Sequence, residues 1–248
     1  MDAKGVKYFL MFMGYPRSGH TLVASMLNAH PNVVCSNQQF ILPKMDLDRI
    51  LNSIQVGTHR SQWNPNAYIE PLPKKEITVI GDKTGHRTVE HLISTPEDLE
   101  KFKEIIPWSI KWIHVVRNPY DCLSTWTKKN FENRKARVPR VTQEMEFNTV
   151  FQKYKELNEK IAELKKTEDV LYIAHERVIR FIDRSLDELC KFLEIEKYDD
   201  WRKAVIQKKW KEPRMTRRNI QWTPPMRAQV AKLTKQYPWL NSYDFGGG

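Results

Sequence analysis

The sequence predicts a single α/β domain with a central parallel β-sheet flanked by helices. Two observations predict it. Short apolar, β-rich runs alternate with helical patterns along most of the 248 residues. The runs are also continuous rather than alternating in polarity, as strands covered on both faces are. Parallel neighbours need crossover connections, and intervening helices supply right-handed ones.

The elements follow in order. Strands are predicted at residues 6–13, 33–35, 77–80, 110–116 and 170–174. Helices are predicted at 21–29, 119–129, 142–166 and 223–236, the last with Pro224 and Pro225 in its first turn. Another is expected to start at Thr95, as N-cap, with Pro96 at the first helical position. Leu186, Leu189, Cys190 and Leu193 fall on one apolar helix face. Residues 55–73 carry Pro, Asn, Ser and Gly with little periodicity and read as a long loop, a kind of segment that often serves function. No internal repeat or low-complexity tract interrupts the pattern. The domain is taken as 1–245, with 246–248 a disordered tail.

Composition narrows the function. Hydrophobic residues are 40% and charged residues 29%, ordinary values for a globular chain. No apolar run approaches the ~18 residues that span a bilayer. The apolar stretch at 6–13 runs into a glycine motif rather than a cleavage site, so it reads as a buried strand and not a signal peptide. Cys35, Cys122 and Cys190 are odd in number and far apart, which argues against a disulfide framework or a zinc site and fits a cytoplasmic location. The net charge of +11 favours anionic ligands. It is concentrated in two stretches, 128–140 and 201–218, where lysines and arginines meet only Glu132 and Glu212. Neither stretch belongs to a nucleic-acid module, so no nucleic-acid partner is expected.

The strongest motif is Gly14-Tyr15-Pro16-Arg17-Ser18-Gly19-His20-Thr21. It follows an apolar strand and opens a helix, the context of a phosphate loop, and so types the fold as P-loop-containing and nucleotide-binding. Glycines let backbone amides approach an anion, and the helix N-terminus adds partial positive charge. Arg17 and Thr21 can add a charged fork and a hydroxyl. The spacing matches that of nucleoside-triphosphate loops, but His20 stands where their lysine reaches the phosphates. That counts against a nucleotide kinase or NTPase.

A second motif, Arg117-Asn118-Pro119-Tyr120-Asp121-Cys122-Leu123-Ser124-Thr125, ends one strand and starts a helix. An arginine at a strand end and a hydroxyl in the following helix can grip a phosphate. Arg117 can equally serve as the salt-bridge partner of Asp121.

Together these motifs resemble the sulfotransferase family. Pro16-Arg17-Ser18-Gly19-His20-Thr21 is similar to its 5′-phosphosulfate loop, and the Arg117 segment is similar to its 3′-phosphate site. The resemblance implies the donor 3′-phosphoadenosine-5′-phosphosulfate (PAPS), leaving as the 3′,5′-bisphosphate PAP, and an acceptor hydroxyl on a small molecule or glycan. It implies that Arg17, Ser18, Gly19, His20 and Thr21 hold the 5′ end, Arg17 serving the chemistry as well. Arg117 takes the 3′-phosphate with Thr125, or with Ser124 beside it. The segment 171–178 with 189–193 also resembles the family, and Arg217 and Arg218 fall in a stretch similar to its basic C-terminal loop, as candidate phosphate ligands or a solvated basic loop.

The transfer needs cations to meet charge on the leaving oxygen and a base for the acceptor proton. No metal is required for this, and no acidic cluster with metal-ligand spacing is present. In Asp82-Lys83-Thr84-Gly85-His86, the resemblance puts Lys83 on the bridging oxygen. His86 is the first choice of base, since an imidazole titrates near ~6.5, and Asp82 is the second. Gln38 stands where tyrosylprotein sulfotransferases carry a catalytic glutamate. An amide cannot be that base, so either the base lies elsewhere or the chain is a non-catalytic nucleotide- or anion-binding protein.

Overall fold

The computed structural model describes residues 3–58, 68–135, 138, 140–208 and 212–246. Five strands form one parallel sheet: β1 (Tyr8–Gly14), β2 (Val33–Asn37), β3 (Val79–Lys83), β4 (Ser109–Val116) and β5 (Asp169–Ala174), in the order β2-β3-β1-β4-β5. The predicted strands match these within about three residues at each end, because strands buried on both faces print as apolar runs.

Helices surround the sheet: α1 (His20–Ala29), α2 (Leu47–Gly57), α3 (Gly85–Ser94), α4 (Asp98–Ile105), α5 (Pro119–Lys135), α6 (Gln143–Thr167), α7 (His175–Arg180), α8 (Ile182–Leu193), α9 (Asp199–Gln207) and α10 (Pro224–Thr234). Alternation along β1 feeds two cores. Phe9, Met11 and Met13 face a layer built with α2, α3, α4, α5, α6 and α10. Leu10 and Phe12 face the layer of α1, α8 and α9. The predicted face of Leu186, Leu189, Cys190 and Leu193 lies in that second core. Thr142 and Thr223 cap α6 and α10 by accepting from the amides of Met145 and Met226.

Two expectations change. Thr95 does not start a helix. Its amide donates to the His91 carbonyl at 2.8 Å and closes α3, while Pro96 and Glu97 form the turn into α4. A proline at a first helical position thus sits in a helix–helix turn, which local sequence does not separate from a cap. The loop expected at 55–73 loses its first residues to α2, which Asp46 caps from Arg49 and which runs to Gly57. Residues 59–67 lie outside the described residues, as do Gly247 and Gly248 of the expected tail.

Strand order fixes where a ligand can bind. From β1 the chain leaves toward β2, whereas from β4 it leaves toward β5 on the other side. The loops at the C-terminal ends of β1 and β4 therefore diverge and open a crevice, the position at which open α/β sheets bind ligands.

Candidate functional site

A cleft of about 1040 Å³ occupies that crevice, lined from the ends of β1, β3, β4 and β5 and from the segment after α9. The phosphate-loop motif forms one wall. Gly14 (φ 142°) and Gly19 (φ 102°) have backbones that side chains strain to adopt. A Cβ on Gly14 would lie 2.6 Å from the Val115 carbonyl, and one on Gly19 would lie 2.3 Å from Nδ1 of His175. Gly19→Ala is expected to destabilise the protein by about 1–2 kcal/mol through its backbone alone, and further by displacing His175; a denaturant melt measures the loss.

Within the loop the side chains divide. Arg17 is exposed, with φ 71°, and reaches the cleft. Ser18 is fully buried and turns inward, to the Tyr15 carbonyl at 2.9 Å and Nδ1 of His20 at 3.2 Å. The His20 ring turns back to the Met13 carbonyl, 3.1 Å from Nε2. Burial pushes its pKa down to about 3, so the ring is neutral and donates through Nε2. It packs where side chains on Gly14 and Gly85 would sit, 2.8 Å and 2.7 Å from their ideal Cβ positions. Gly19 caps α1 without a side chain, which leaves first-turn amides without a side-chain acceptor.

Lys83 ends β3 beside this loop. Its ammonium donates to Oγ1 of Thr21 at 3.2 Å, and burial pushes its pKa down to about 8. His86, in the first turn of α3, also lines the cleft. Burial first, then the charges of Arg87, Lys83, Arg17 and Lys153, lower its pKa to about 4. Asp82 points elsewhere. Its carboxylate accepts from Ser36 Oγ (2.6 Å), the amides of Gln39 (2.9 Å) and Phe40 (3.2 Å), and the Thr84 hydroxyl. Burial raises its pKa against the pull of these bonds. It pins the β2–α2 connection, which carries Gln38 (φ 58°) to the cleft.

Arg117 ends β4 with its side chain almost wholly buried, and it does not pair with Asp121. Nη1 donates to the Arg17 carbonyl at 3.1 Å, and Nη2 donates to the Arg214 carbonyl and to Oγ1 of Thr216 at 3.2 Å. Its Nε has no partner among the described residues. Thr125 lines the cleft and bonds Oγ1 of Thr216 at 2.8 Å, whereas Ser124 is buried behind it, donating to the Thr216 carbonyl at 2.7 Å.

Asp121 pairs with Arg217 instead. Nη2 of Arg217 lies 2.8 Å from Oδ2, its Nε and amide donate to Oδ1 at 3.2 and 2.7 Å, and Nη1 reaches the carbonyls of Asp244 and Phe245. Arg217 is thus buried in a structural network, and Arg218 is exposed; neither lines the cleft.

Several lining residues lie outside the phosphate-loop and Arg117 motifs: Lys129, Asn130, His175, Lys208, Arg214 and Thr216. Lys129 stands one helical turn after Thr125 on α5, a spacing that places both on one face. His175 begins α7 directly after β5; burial lowers its pKa to about 4, and Nδ1 has no partner among the described residues. Among the described residues no three His, Cys, Asp or Glu side chains could hold a metal ion, and no helix is long and apolar enough to cross a membrane.

Comparison with known proteins agrees with the geometry. The fold resembles the sulfotransferase domain of the Synechococcus PCC 7002 olefin synthase, with a TM-score of 0.60 at 15% identity, over 98% of this chain and 98% of that one. It also resembles the sulfotransferase domain of the curacin biosynthetic pathway (TM-score 0.55, 14% identity, 97% of this chain and 98% of that one). A sulfotransferase from Alicyclobacillus acidocaldarius matches with a TM-score of 0.54 at 12% identity, over 96% of this chain and 94% of that one. No curated protein sequence matches the chain. The sequence profile described as "Sulfotransferase family" matches residues 10–200, from within β1 into α9 and across both strand-end motifs, so the chain belongs to the sulfotransferase family.

Proposed function

We propose that the protein transfers a sulfuryl group from PAPS to a hydroxyl of a small-molecule or glycan acceptor. One observation carries this reading. The loop at the end of β1, Lys83 at the end of β3 and Arg117 at the end of β4 converge on a single cleft. The N-terminus of α1 opens there without a side-chain cap, and the buried Nε of Arg117 has no partner among the described residues. Such a cleft suits a ligand with phosphate at two places.

Bound, the donor nucleotide supplies the activated sulfuryl group. The loop amides, Arg17 and Thr21 hold its 5′ end. Ser18 and His20, turned inward, shape the loop rather than touch the ligand. Arg117 and Thr125 hold the 3′-phosphate, with Arg214 and Lys129 nearby. Lys83 donates toward the bridging oxygen, where charge accumulates. His86 takes the acceptor proton; at neutral pH it is uncharged and able to accept. Asp82 is fully occupied by hydrogen bonds and positions the Gln38 loop.

Arg117→Ala tests the reading. Losing a charged hydrogen-bonding group costs about 1.5–3 kcal/mol, so affinity for PAP is expected to fall by roughly ten- to a hundredfold. Unchanged affinity in a calorimetric titration would remove Arg117 from the nucleotide site.

A further inference from the structure

One segment touches both phosphate-binding motifs from behind the cleft. Residues 239–245 follow α10 and lie outside the part of the chain that the family profile matches. Leu240 and Tyr243 are buried in the first core. None of the seven lines the cleft, so any effect on a ligand passes through other residues.

The first contact is with the phosphate loop. Nε1 of Trp239 donates to the Tyr15 hydroxyl at 2.9 Å and to Oδ1 of Asn158 at 3.1 Å. The Tyr15 hydroxyl donates to that same Oδ1 at 2.6 Å, and its ring stacks on Tyr154 with centroids 4.2 Å apart. Tyr15 is wholly buried, stands two residues before Arg17, and accepts from Ser18 Oγ through its carbonyl. Trp239 thus holds the root of the loop.

Four residues later the segment holds the Arg117 motif. The Tyr243 hydroxyl donates to Oε2 of Glu176 at 2.9 Å, and Oε1 of Glu176 accepts from the Asn118 amide at 2.9 Å. Glu176 is buried, so losing the Tyr243 hydroxyl leaves a carboxylate oxygen unsatisfied. The Asp244 carbonyl accepts from Nδ2 of Asn118 at 3.0 Å and, with the Phe245 carbonyl, from Nη1 of Arg217. Asn118 directly follows Arg117, and Arg217 directly follows Thr216, which bonds both Arg117 and Thr125. The Phe245 ring pins this stretch, with the Tyr120 and Trp222 rings 5.3 and 5.8 Å away and the Arg227 guanidinium 3.9 Å over it.

We propose that residues 239–245 form a strap that fixes the two phosphate-binding motifs relative to one another. Trp239 positions the phosphate loop through Tyr15, and Tyr243 positions the Arg117 motif through Glu176. This rests on the bisphosphate reading of the cleft. Strands β1 and β4 are paired, but the loops after them leave toward opposite sides, so pairing alone does not set the spacing of two phosphate sites. Groups that bind one ligand at two places must be held to within about 0.5 Å by the residues behind them.

PAP and adenosine 5′-monophosphate differ only in the 3′-phosphate, so calorimetric titration with each reads the two ends separately. Tyr243→Phe is expected to weaken PAP about five- to tenfold, the effect of an unsatisfied buried oxygen, with adenosine 5′-monophosphate unchanged within about twofold. Phe245→Ala, at a half-buried position, is expected to give the same selective loss. Trp239→Phe keeps an aromatic ring and loses the donor, and is expected to weaken both ligands by one common factor of about threefold or more. PAP affinity unchanged in all three variants would overturn the proposal. Equal loss of both ligands in Tyr243→Phe and Phe245→Ala would overturn it too, since a general loosening of the fold does not discriminate the 3′-phosphate. A parent protein that binds PAP no tighter than adenosine 5′-monophosphate would instead bring down the bisphosphate reading on which the strap stands.

Discussion

Lys83→Met is expected to lower turnover by about 100- to 1,000-fold, the usual cost of removing one donor aimed at developing charge. The substitution keeps most of the buried stem, so folding should survive. The side chain is buried at the junction of β3 and the phosphate loop, where an ammonium acts at low dielectric. Its pKa of about 8 adds a pH signature. The charged form is lost as pH rises through that value, so kcat/KM for the free enzyme falls on the alkaline side. His86, lowered to about 4, gains a proton only well below neutrality and sets the acid side. Lys83→Met should flatten the alkaline limb and His86→Ala the acid limb. A profile that keeps its alkaline limb in Lys83→Met would assign that limb to another group.

Asp121→Ala should produce the largest loss of stability. Asp121 and Arg217 are both almost wholly buried, and the carboxylate receives three hydrogen bonds from Arg217. Removing one partner leaves a buried charge uncompensated, at a cost of about 3–5 kcal/mol. For a domain of this size that corresponds to roughly 6–20 °C in Tm. Thr216, next to Arg217, touches Arg117, Ser124 and Thr125, so the cleft should loosen as well. A thermal melt within about 2 °C of the parent would show that the pair contributes little.

The sequence carried the strands and both strand-end motifs because each is local: an apolar run, then glycine or arginine, then a helix start. Helices α2, α3, α7 and α9 were harder to see. Few residues in each are buried, as with Ile50, Ile54 and Gly57 in α2, and none opens with the paired prolines that mark α10. The partner of Asp121 lies 96 residues away, whereas proximity in sequence offers Arg117 as an equal alternative to its phosphate role. Ser18 and His20 sit in the phosphate-loop motif, yet the turn at Gly19 directs both inward, which depends on backbone geometry and not on residue type. His175 and Thr216 reach the cleft through β5 and the segment after α9, so tertiary assembly alone brings them there.

The most direct test of a bisphosphate-nucleotide cleft is calorimetric titration of the protein with adenosine 3′,5′-bisphosphate, ATP and GTP at one salt concentration. Bisphosphate binding at least tenfold tighter than either triphosphate is the predicted result, because the role proposed for Arg117 is to hold a 3′-phosphate, while His20 stands where triphosphate loops place the lysine that reaches a γ-phosphate. Tighter binding of ATP or GTP, or no binding of the bisphosphate, would contradict it.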